Sequence, residues 1–409
     1  MNTPHKILLV DTGREWGGGT NSMIELLKRA DRQRFHFVCV FYHNYRRGAA
    51  SDLRTELGKL GIDSVFLTSR HQPLWAKLAK EALRTLLFFS RPAARLGAFL
   101  IDYLWRIRSN ARKLEHLIRL HRIDLVYLNN QPSSNLEGII AAHHAAVPVV
   151  QHVRKTTSLN AMEARIARAW LDKLICVSEG VREHFAQQGF PQEKCAVVHN
   201  GIDLSAAPAV TMDEMRSRFG IPPNACVIGT VCSLIPLKRV ELLIEAMARL
   251  RPTVSVPLRC LVVGDGPELP RLRSLAETRG LASDCLFAGF QPDALSHINA
   301  MDIFVLASTQ EGLPRTILEA MLLGKPVVAS NVTGSRELVV DGETGRLFPS
   351  GDAEALAGCL RGLIPDADLR ARMGSRGQER VRRNFSIENY VQGVERELDT
   401  VLARCHTSS

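Results

Sequence analysis

Short apolar segments alternate with helical stretches along almost the whole chain, and this alternation constrains the fold more than any other feature. Such alternation favours βαβ units, in which parallel strands form a sheet that is covered by helices. The predicted strands of the first half are residues 6–11, 35–42, 63–67, 124–130, 148–152, 173–178 and 196–200. Those of the second half are residues 226–232, 259–264, 285–290, 303–308, 326–330 and 345–348. The sequence therefore predicts an α/β protein with two doubly wound parallel sheets.

Residues 204–211 separate the two sets of strands, and these small, turn-forming residues are typical of a linker. With 409 residues, the chain is long enough for two domains that each bury a sizeable core. We therefore predict one domain at residues 1–204 and a second at residues 205–385. Residues 386–409 are predicted to be a final helical segment.

Two glutamates, Glu311 and Glu319, stand on either side of a predicted helix start. Pro314 suits the first helical position, and Gly324 followed by Pro326 predicts the helix end. Glu311 then lies on the loop entering the helix, whereas Glu319 lies roughly two turns inside it among apolar neighbours. A capping glutamate and a buried ion pair would explain these residues. A ligand that carries a phosphate and several hydroxyls would explain them too.

Two strand ends in the first half carry residues that suit a ligand. Gly17, Gly18 and Gly19 follow the first predicted strand and precede a helical stretch, so the backbone can approach an anion closely. A flexible turn is the alternative. His152 stands at the end of a later strand, where ligand crevices open in α/β sheets, although a lone histidine is more often structural.

Lys238 follows the predicted strand 226–232 and precedes a helical stretch. An ammonium group is a point charge with three donors, and this chemistry suits a phosphate. A helix-capping or surface lysine is the alternative. The sequence thus places a candidate phosphate-binding cation in the second half of the chain.

The residues around Glu311 and Glu319, Glu-Gly-Leu-Pro with Leu-Glu-Ala-Met and Gly-Lys-Pro-Val-Val, closely resemble the E-x7-E signature of the retaining family 4 glycosyltransferases. Further matches follow in order over about residues 170–350, at residues 198–203, 263–267, 288–290 and 338–345. The resemblance implies the GT-B fold, two Rossmann-like doubly wound domains facing a cleft, with a C-terminal helix that packs back on the first domain. It also implies transfer of a sugar from a nucleotide diphosphate sugar to a glycan or lipid-linked acceptor.

The resemblance assigns the donor to the second domain. Glu311 would meet the donor sugar and diphosphate, together with the loop that follows it, Gly312, Leu313 and Pro314. Glu319 would hold the ribose hydroxyls. Further donor contacts implied by the resemblance are Lys238 on the diphosphate, Ser233 beside it, and Gly289 with Phe290 at the base.

In the first domain, the resemblance places Gly18 and Gly19 at the donor phosphate and His152 at the transferred sugar. His152, Glu311 and Lys238 are the implied catalytic residues. The chain departs from the family pattern at two positions, because Ser233 stands where an arginine is usual and Arg239 where a glycine is usual.

Two other functions fit the same fold. A sugar-nucleotide epimerase would consume the nucleotide sugar without an acceptor, and a degenerate transferase would act only as a scaffold, for which Ser233 is the motivating residue. We expect no metal or other cofactor, since lysine and helix dipoles can neutralise a leaving diphosphate.

The net charge of +10 is concentrated in one stretch, residues 70–122, which hold 12 basic and three acidic residues. Aromatic and leucine residues interleave with these charges, as in helices that lie on an anionic membrane surface. The alternative is that the apolar residues are core and the charges a solvated face. Nucleic acid is not expected as a partner, because no nucleic-acid-binding motif accompanies the charge.

Nine cysteines without a C-x-x-C pattern lie mostly in strand-like runs and are typical of reduced core residues. The sequence enters its first strand without a signal-peptide pattern, and no apolar run is long enough for a membrane span. We therefore predict a cytoplasmic protein that can associate peripherally with the inner face of the membrane.

Overall fold

The computed structural model describes residues 3–13, 16–47, 51–68 and 72–407. The chain forms two compact units, of which unit 1 is Met1–Val198 with Val391–Ser409, and unit 2 is His199–Tyr390. The first change of unit therefore comes a few residues before the predicted boundary at 204. The second comes inside the predicted C-terminal segment 386–409, so that this segment is divided between the units.

Unit 1 contains a sheet of seven parallel strands in the order β5-β2-β1-β6-β7-β8-β9. A two-residue antiparallel pair, β3 with β4, was not predicted. The strands are β1 (His5–Asp11), β2 (Phe35–Phe41), β3 (Arg46–Arg47), β4 (Ser51–Asp52), β5 (Asp63–Phe66), β6 (Leu125–Asn129), β7 (Val149–Val153), β8 (Lys173–Cys176) and β9 (Cys195–Val197). The helices are α1 (Gly18–Arg29), α2 (Leu53–Lys59), α3 (Leu74–Leu86), α4 (Arg91–Asp102), α5 (Arg108–His121), α6 (Leu136–Ala145), α7 (Ala161–Trp170) and α8 (Glu179–Gln187).

Unit 2 contains a sheet of six parallel strands in the order β12-β11-β10-β13-β14-β15. The strands are β10 (Cys226–Val231), β11 (Leu258–Val263), β12 (Cys285–Gly289), β13 (Ile303–Leu306), β14 (Val327–Ser330) and β15 (Gly345–Phe348). The helices are α9 (Met212–Arg218), α10 (Val240–Leu250), α11 (Leu269–Thr278), α12 (Ala294–Asn299), α13 (Arg315–Leu322), α14 (Thr333–Leu338), α15 (Ala353–Leu363) and α16 (Ala367–Asn384). The last helix, α17 (Ile387–Thr407), begins in unit 2 and continues in unit 1.

The strands of both sheets are apolar along nearly their whole length, because helices cover a parallel sheet on both faces. In β1, the residues Ile7, Leu8, Leu9 and Val10 are all completely buried. The same pattern holds in unit 2, where Ile228 of β10 and Val262 of β11 are part of one apolar cluster with α10. The predicted α/β fold with two doubly wound sheets is therefore confirmed.

Within unit 1, the C-terminal part of α17 is held by polar contacts. The Asp31 amide donates to Glu395 at 2.8 Å, and Lys173 pairs with Glu397 at 3.0 Å. Gly393 lies against Val198, where a Cβ would come within 2.9 Å of a valine methyl group. In the described part of the chain, no helix is both long and apolar enough to cross a bilayer.

Candidate functional site

The strand order of unit 2 points to one place for a ligand. After β10 the chain adds β11 and β12 on one side, and it then returns to place β13 on the other side of β10. Ligands of open α/β sheets bind at such a switch point, outside the carboxyl ends of the strands. The loops that follow β10 and β13 carry Lys238 and Glu311, so the topology brings these two predicted residues together.

Lys238 and Glu311 form an ion pair in which Nζ lies 2.5 Å from Oε1. The hydroxyl of Ser308 donates to the same carboxylate oxygen at 2.6 Å. The two side chains are mostly buried, with 20% and 10% of their surface exposed. Two predicted donor-binding residues from distant parts of the sequence are thus in direct contact.

Lys238 carries a stable positive charge. Burial by itself lowers the pKa of the ammonium group, but the charge and the hydrogen bond of Glu311 outweigh burial and raise the pKa above its ordinary value. The side chain is therefore protonated at neutral pH, as electrostatic stabilisation of a diphosphate requires.

Backbone hydrogen bonds hold the loops of this pair in place. The Thr309 amide donates to the carbonyl of Leu237 at 2.9 Å, which joins the two loops directly. The Ser330 hydroxyl, at the end of β14, donates to the carbonyl of Ser308 at 2.5 Å. The geometry of the Lys238 and Glu311 pair therefore depends on three neighbouring strand ends.

The turn that follows β11 packs closely against the loop that contains Ser233. A Cβ on Gly264 would come within 1.8 Å of the Cys232 carbonyl oxygen, and one on Gly266 within 2.4 Å of the Leu234 carbonyl oxygen. The Leu234 amide also donates to the Asp265 carbonyl at 2.8 Å. Glycine is thus needed at positions 264 and 266, because a side chain at either position would collide with the backbone of the neighbouring loop.

The helix after Glu311 begins later than the sequence suggested. Pro314 is the residue before the first helical residue, Arg315, and it provides no capping side chain for the first turn of α13. The amides of the first turn therefore form a positive helix end that suits a phosphate. Gly312 and Leu313 are buried, and a Cβ on Gly334 would come within 2.4 Å of the Gly312 carbonyl oxygen.

Glu319 lies just over one turn inside α13, rather than the predicted two turns. Its neighbours Leu318 and Ala320 are completely buried, whereas Glu319 itself is half-buried. Burial raises the pKa of the Glu319 carboxyl group, and the charge of Arg315 opposes this shift only in part. Such a carboxylate gains from hydroxyl donors, as a ribose would supply.

The two departures from the family pattern lie in the segment between β10 and α10, which also carries Lys238. Arg239 has a φ of 50°, in the left-handed region where glycine is favoured, and this explains why glycine is usual there. Its guanidinium group pairs with Glu241, while Arg315 donates to the carbonyl of Gly201 at 2.9 Å. Ser233 is exposed. Lys238 forms an ion pair with Glu311.

The predicted contacts for the base lie at the end of β12. Gly289 has a φ of 68°, and its carbonyl accepts a hydrogen bond from the Gly264 amide at 2.8 Å. Phe290, which follows, is 45% exposed. An exposed ring and a backbone turn at the carboxyl edge of the same sheet suit a nucleobase, so these roles stay predictions with a matching geometry.

The predicted residues of unit 1 lie at the carboxyl edge of its sheet, but in surroundings that differ from the predicted ones. Gly18 and Gly19 belong to the first turn of α1, with Gly17 before it, so they do not form a free loop. Residues 14 and 15 of the predicted loop lie outside the described residues.

His152 is completely buried in β7, with Nδ1 at 2.5 Å from the hydroxyl of Tyr127. Burial, and to a lesser degree Arg154, lowers the pKa of His152 well below its ordinary value, so the ring is neutral. The contact between His152 and a transferred sugar stays a prediction, and it requires the ring to become accessible.

A polar network in unit 1 was missed by the sequence reasoning. Asp11 accepts hydrogen bonds from Asn129 at 2.7 Å, Asn130 at 2.6 Å and the Gly13 amide at 2.6 Å, and Arg154 donates to Asn129 at 2.9 Å. Burial raises the pKa of Asp11, against the effect of these partners. The signal in the sequence was a polar residue at the end of each of three strands that prove to be neighbours, β1, β6 and β7.

The turn at Asn200 holds the loop that follows Glu311, and this predicts an indirect effect on ligand binding. The buried Asn200 side chain donates to the Leu313 carbonyl at 3.0 Å. Asn200→Ala is expected to lower stability by about 1 kcal/mol, the typical net value of a hydrogen bond. Because the loop is loosened, nucleotide affinity measured by calorimetry is expected to fall by roughly three- to tenfold.

The matched control is Asn384→Ala, since Asn384 is exposed and bonds within its own helix to the Arg380 carbonyl at 3.1 Å. It is expected to leave affinity unchanged. Unaltered nucleotide affinity in Asn200→Ala would contradict a role for this turn in holding the loop.

The chain resembles known proteins in both of its units. Residues 16–206 match the family described as Glycosyltransferase Family 4, and residues 211–380 match Glycosyl transferases group 1. A lipopolysaccharide core biosynthesis glycosyltransferase of Rhizobium meliloti, LpsE, is 33% identical over 53% of this chain and 61% of its own length. An Escherichia coli galactosyltransferase, UDP-Gal:alpha-D-GlcNAc-diphosphoundecaprenol alpha-1,3-galactosyltransferase, is 27% identical over 73% of this chain and 82% of its own.

Among solved structures, Anabaena Alr3699/HepE in complex with UDP has a TM-score of 0.76 and 26% identity. The match covers 97% of this chain and 100% of that one. Two parallel-sheet domains with this likeness show the GT-B fold. The chain belongs to the group 1 glycosyltransferases of family 4, a class of enzymes. The epimerase and scaffold alternatives are not favoured.

Proposed function

We propose that this protein transfers a hexose from a nucleotide diphosphate sugar to a glycan or lipid-linked acceptor of the cell envelope, with retained anomeric configuration. The ion pair of Lys238 and Glu311 carries the proposal, because it lies at the switch point of a parallel sheet beside the first turn of α13. The names of the relatives, in lipopolysaccharide core biosynthesis and galactosyl transfer to a diphosphoundecaprenol-linked sugar, support the acceptor class.

The donor roles follow from the chemistry of each group in unit 2. The Lys238 ammonium and the amides that begin α13 bind the diphosphate, since both present positive charge. Glu319 accepts hydrogen bonds from the ribose hydroxyls. The loop of Glu311, Gly312, Leu313 and Pro314 fits the sugar end of the donor, and the structure of Alr3699/HepE in complex with UDP supports a nucleotide here.

The transfer itself breaks the bond between the anomeric carbon and the diphosphate oxygen. The acceptor oxygen forms a bond to the same carbon from the same face, and its proton goes to the leaving phosphate. Lys238 stabilises the charge that grows on the diphosphate. Glu311 serves to position the sugar, and His152, Gly18 and Gly19 keep the sugar and phosphate roles that the resemblance implies.

We assign the protein to the cytoplasm, where nucleotide sugars are made, with peripheral association at the inner face of the membrane. The basic stretch 70–122 supports this location by its charge. Residues 70 and 71 of that stretch lie outside the described residues. Among the residues that the structure describes, no group of three His, Cys, Asp or Glu side chains could hold a metal ion.

A thermal-shift screen of UDP, GDP, ADP and their hexose conjugates tests the donor. We expect one nucleotide to raise the Tm by roughly 2–4 °C at a hundred times its Kd, since such binding stabilises by about 2.7 kcal/mol. The shift is expected to persist in EDTA, because Lys238 supplies the charge. The corresponding nucleoside is the control and is expected to give a smaller shift. No shift with any nucleotide would contradict the proposal.

A further inference from the structure

One helical hairpin of unit 1, formed by α3, the turn after it, α4 and the helical segment Tyr103–Ile107 that follows, concentrates the exposed apolar surface of the described residues. Of the eleven large hydrophobic side chains that are exposed in the described residues, nine lie between residues 74 and 104. Single exposed leucines are common on protein surfaces, but a group of this size marks an interaction site. We call the surface formed by these nine side chains the hairpin surface.

The exposed residues of the hairpin surface follow the helical repeat. Leu74, Leu78 and Leu86 stand at multiples of four along α3, so they share one side of the helix. Leu96 and Leu100 repeat this spacing on α4. The two helices pack closely on their other sides, where Leu83 fills the space that a Cβ on Gly97 would need. The two helices are therefore already packed against each other, and the exposed leucines lie outside that contact.

The turn between the helices carries the most exposed aromatic residues. Phe88 is 81% exposed and Phe89 is 73% exposed. Their ring centroids lie 5.7 Å apart in an edge-to-face arrangement. Trp75, on α3, is half-exposed. A pair of phenylalanines at a hairpin tip with leucines behind them is the arrangement of an element that enters an apolar phase.

The positive charge around the hairpin surface favours an anionic partner. Residues 72–107 hold six basic and two acidic residues, and the two acidic ones are already paired, Asp102 with Lys80 and Glu81 with Arg84. Lys77 and Arg95 are exposed beside the leucines. A second copy of the chain would bring the same positive charge to the interface, and like charges oppose such a contact.

We propose that the hairpin surface inserts into an anionic lipid bilayer, with Phe88 and Phe89 entering first and the basic side chains binding lipid phosphates. The proposal deepens the proposed function, since it rests on a lipid-linked acceptor to explain why a sugar transferase docks on a membrane. Helices α3 and α4 have 13 and 12 residues, too few to cross a bilayer, and this agrees with insertion along its surface.

Vesicle flotation with the full chain tests the inference. We expect binding to phosphatidylcholine vesicles that contain phosphatidylglycerol, weaker binding to phosphatidylcholine alone, and loss with rising salt. The double variant Phe88→Ser with Phe89→Ser is expected to lower vesicle affinity by roughly tenfold or more. Leu120→Ser, which alters an exposed leucine outside the hairpin, is the control and is expected to bind normally.

Trp75 provides a second readout, because its fluorescence is expected to shift to shorter wavelength on insertion. This shift should disappear in Trp75→Phe while vesicle binding remains. Thermal unfolding of the double variant is expected to match the unaltered protein, since the changed side chains are exposed.

Absence of binding to anionic vesicles, or equal binding by the double variant, would overturn the inference. A dimer in sedimentation velocity that the double variant abolishes, without vesicle binding, would overturn it in favour of a protein partner. Nucleotide binding is measured separately on the same preparations. If nucleotides bind but vesicles do not, only the membrane inference falls and the proposed donor site stands.

Discussion

Lys238→Met is expected to lower the turnover number for sugar transfer by about 100- to 1,000-fold, the effect of losing one group that stabilises a developing charge. The Lys238 ammonium lies 2.5 Å from the Glu311 carboxylate, at the proposed position of the diphosphate. Methionine preserves the length and apolar stem of lysine, so the change removes mainly the charge. Initial rates at saturating donor measure the effect.

Loss of stability has to be separated from loss of chemistry in this variant, because Lys238→Met leaves Glu311 mostly buried without its cation. The double variant Lys238→Met with Glu311→Gln removes both charges, and we expect it to regain stability in thermal unfolding but not the rate. Lys59→Met, at a surface ion pair with Glu56, is the matched control with an unaltered rate. A rate that returns together with stability would show that the pair is only structural.

Glu319→Ala is expected to weaken nucleotide binding by roughly 10- to 100-fold, because hydrogen bonds to a charged acceptor contribute about 1.5–3 kcal/mol. Glu319 lies half-buried on α13 between buried apolar neighbours. Calorimetric titration of the nucleotide identified by the screen measures the change. Equal affinity in the variant would remove the ribose role.

The pH dependence provides an independent check on Glu319. Because burial raises its pKa, the carboxylate becomes protonated at a higher pH than an ordinary glutamate, and only the ionised form accepts both ribose hydrogen bonds. Nucleotide affinity is therefore expected to fall as the pH decreases through this raised pKa. Glu319→Gln should lack that dependence, whereas Lys59→Met should keep it.

The same raised pKa predicts the sign of the effect on stability. A carboxyl group whose pKa is higher in the folded than in the unfolded state destabilises the fold above both values, and the penalty disappears as the pH falls. Glu319→Gln is thus expected to be as stable as the unaltered protein at neutral pH, or more so, while it binds nucleotide less well. A residue kept for structure alone would show loss of stability instead.

The strands were predictable because a buried parallel strand is an uninterrupted apolar run between turn signals. Every predicted strand is present, and its ends differ from the prediction by at most three residues. The short pair β3 and β4 was missed, since two-residue strands carry no pattern. The start of α13 was placed one residue early, because the fixed φ of Pro314 suits the position before a helix as well as its first position.

The contacts that make a site from separate motifs were not predictable. The resemblance placed Lys238 and Glu311 at the same diphosphate, but their direct ion pair depends on β13 returning beside β10. The burial of His152 depends on neighbours in other strands, among them Tyr127. Charge and aromatic content predicted amphipathic helices over residues 70–122 but left open whether their apolar residues are core, whereas the outward side of the hairpin depends on the packing of Leu83 on Gly97.

The most direct test of the function is the structure of the reaction product. The donor identified by thermal shift is incubated with the protein and a lipid-linked or core-oligosaccharide acceptor, and NMR defines the new linkage. We expect acceptor-dependent transfer that keeps the anomeric configuration of the donor. An inverted linkage, a changed nucleotide sugar formed without acceptor, or a folded protein that consumes no donor would each contradict a retaining glycosyltransferase.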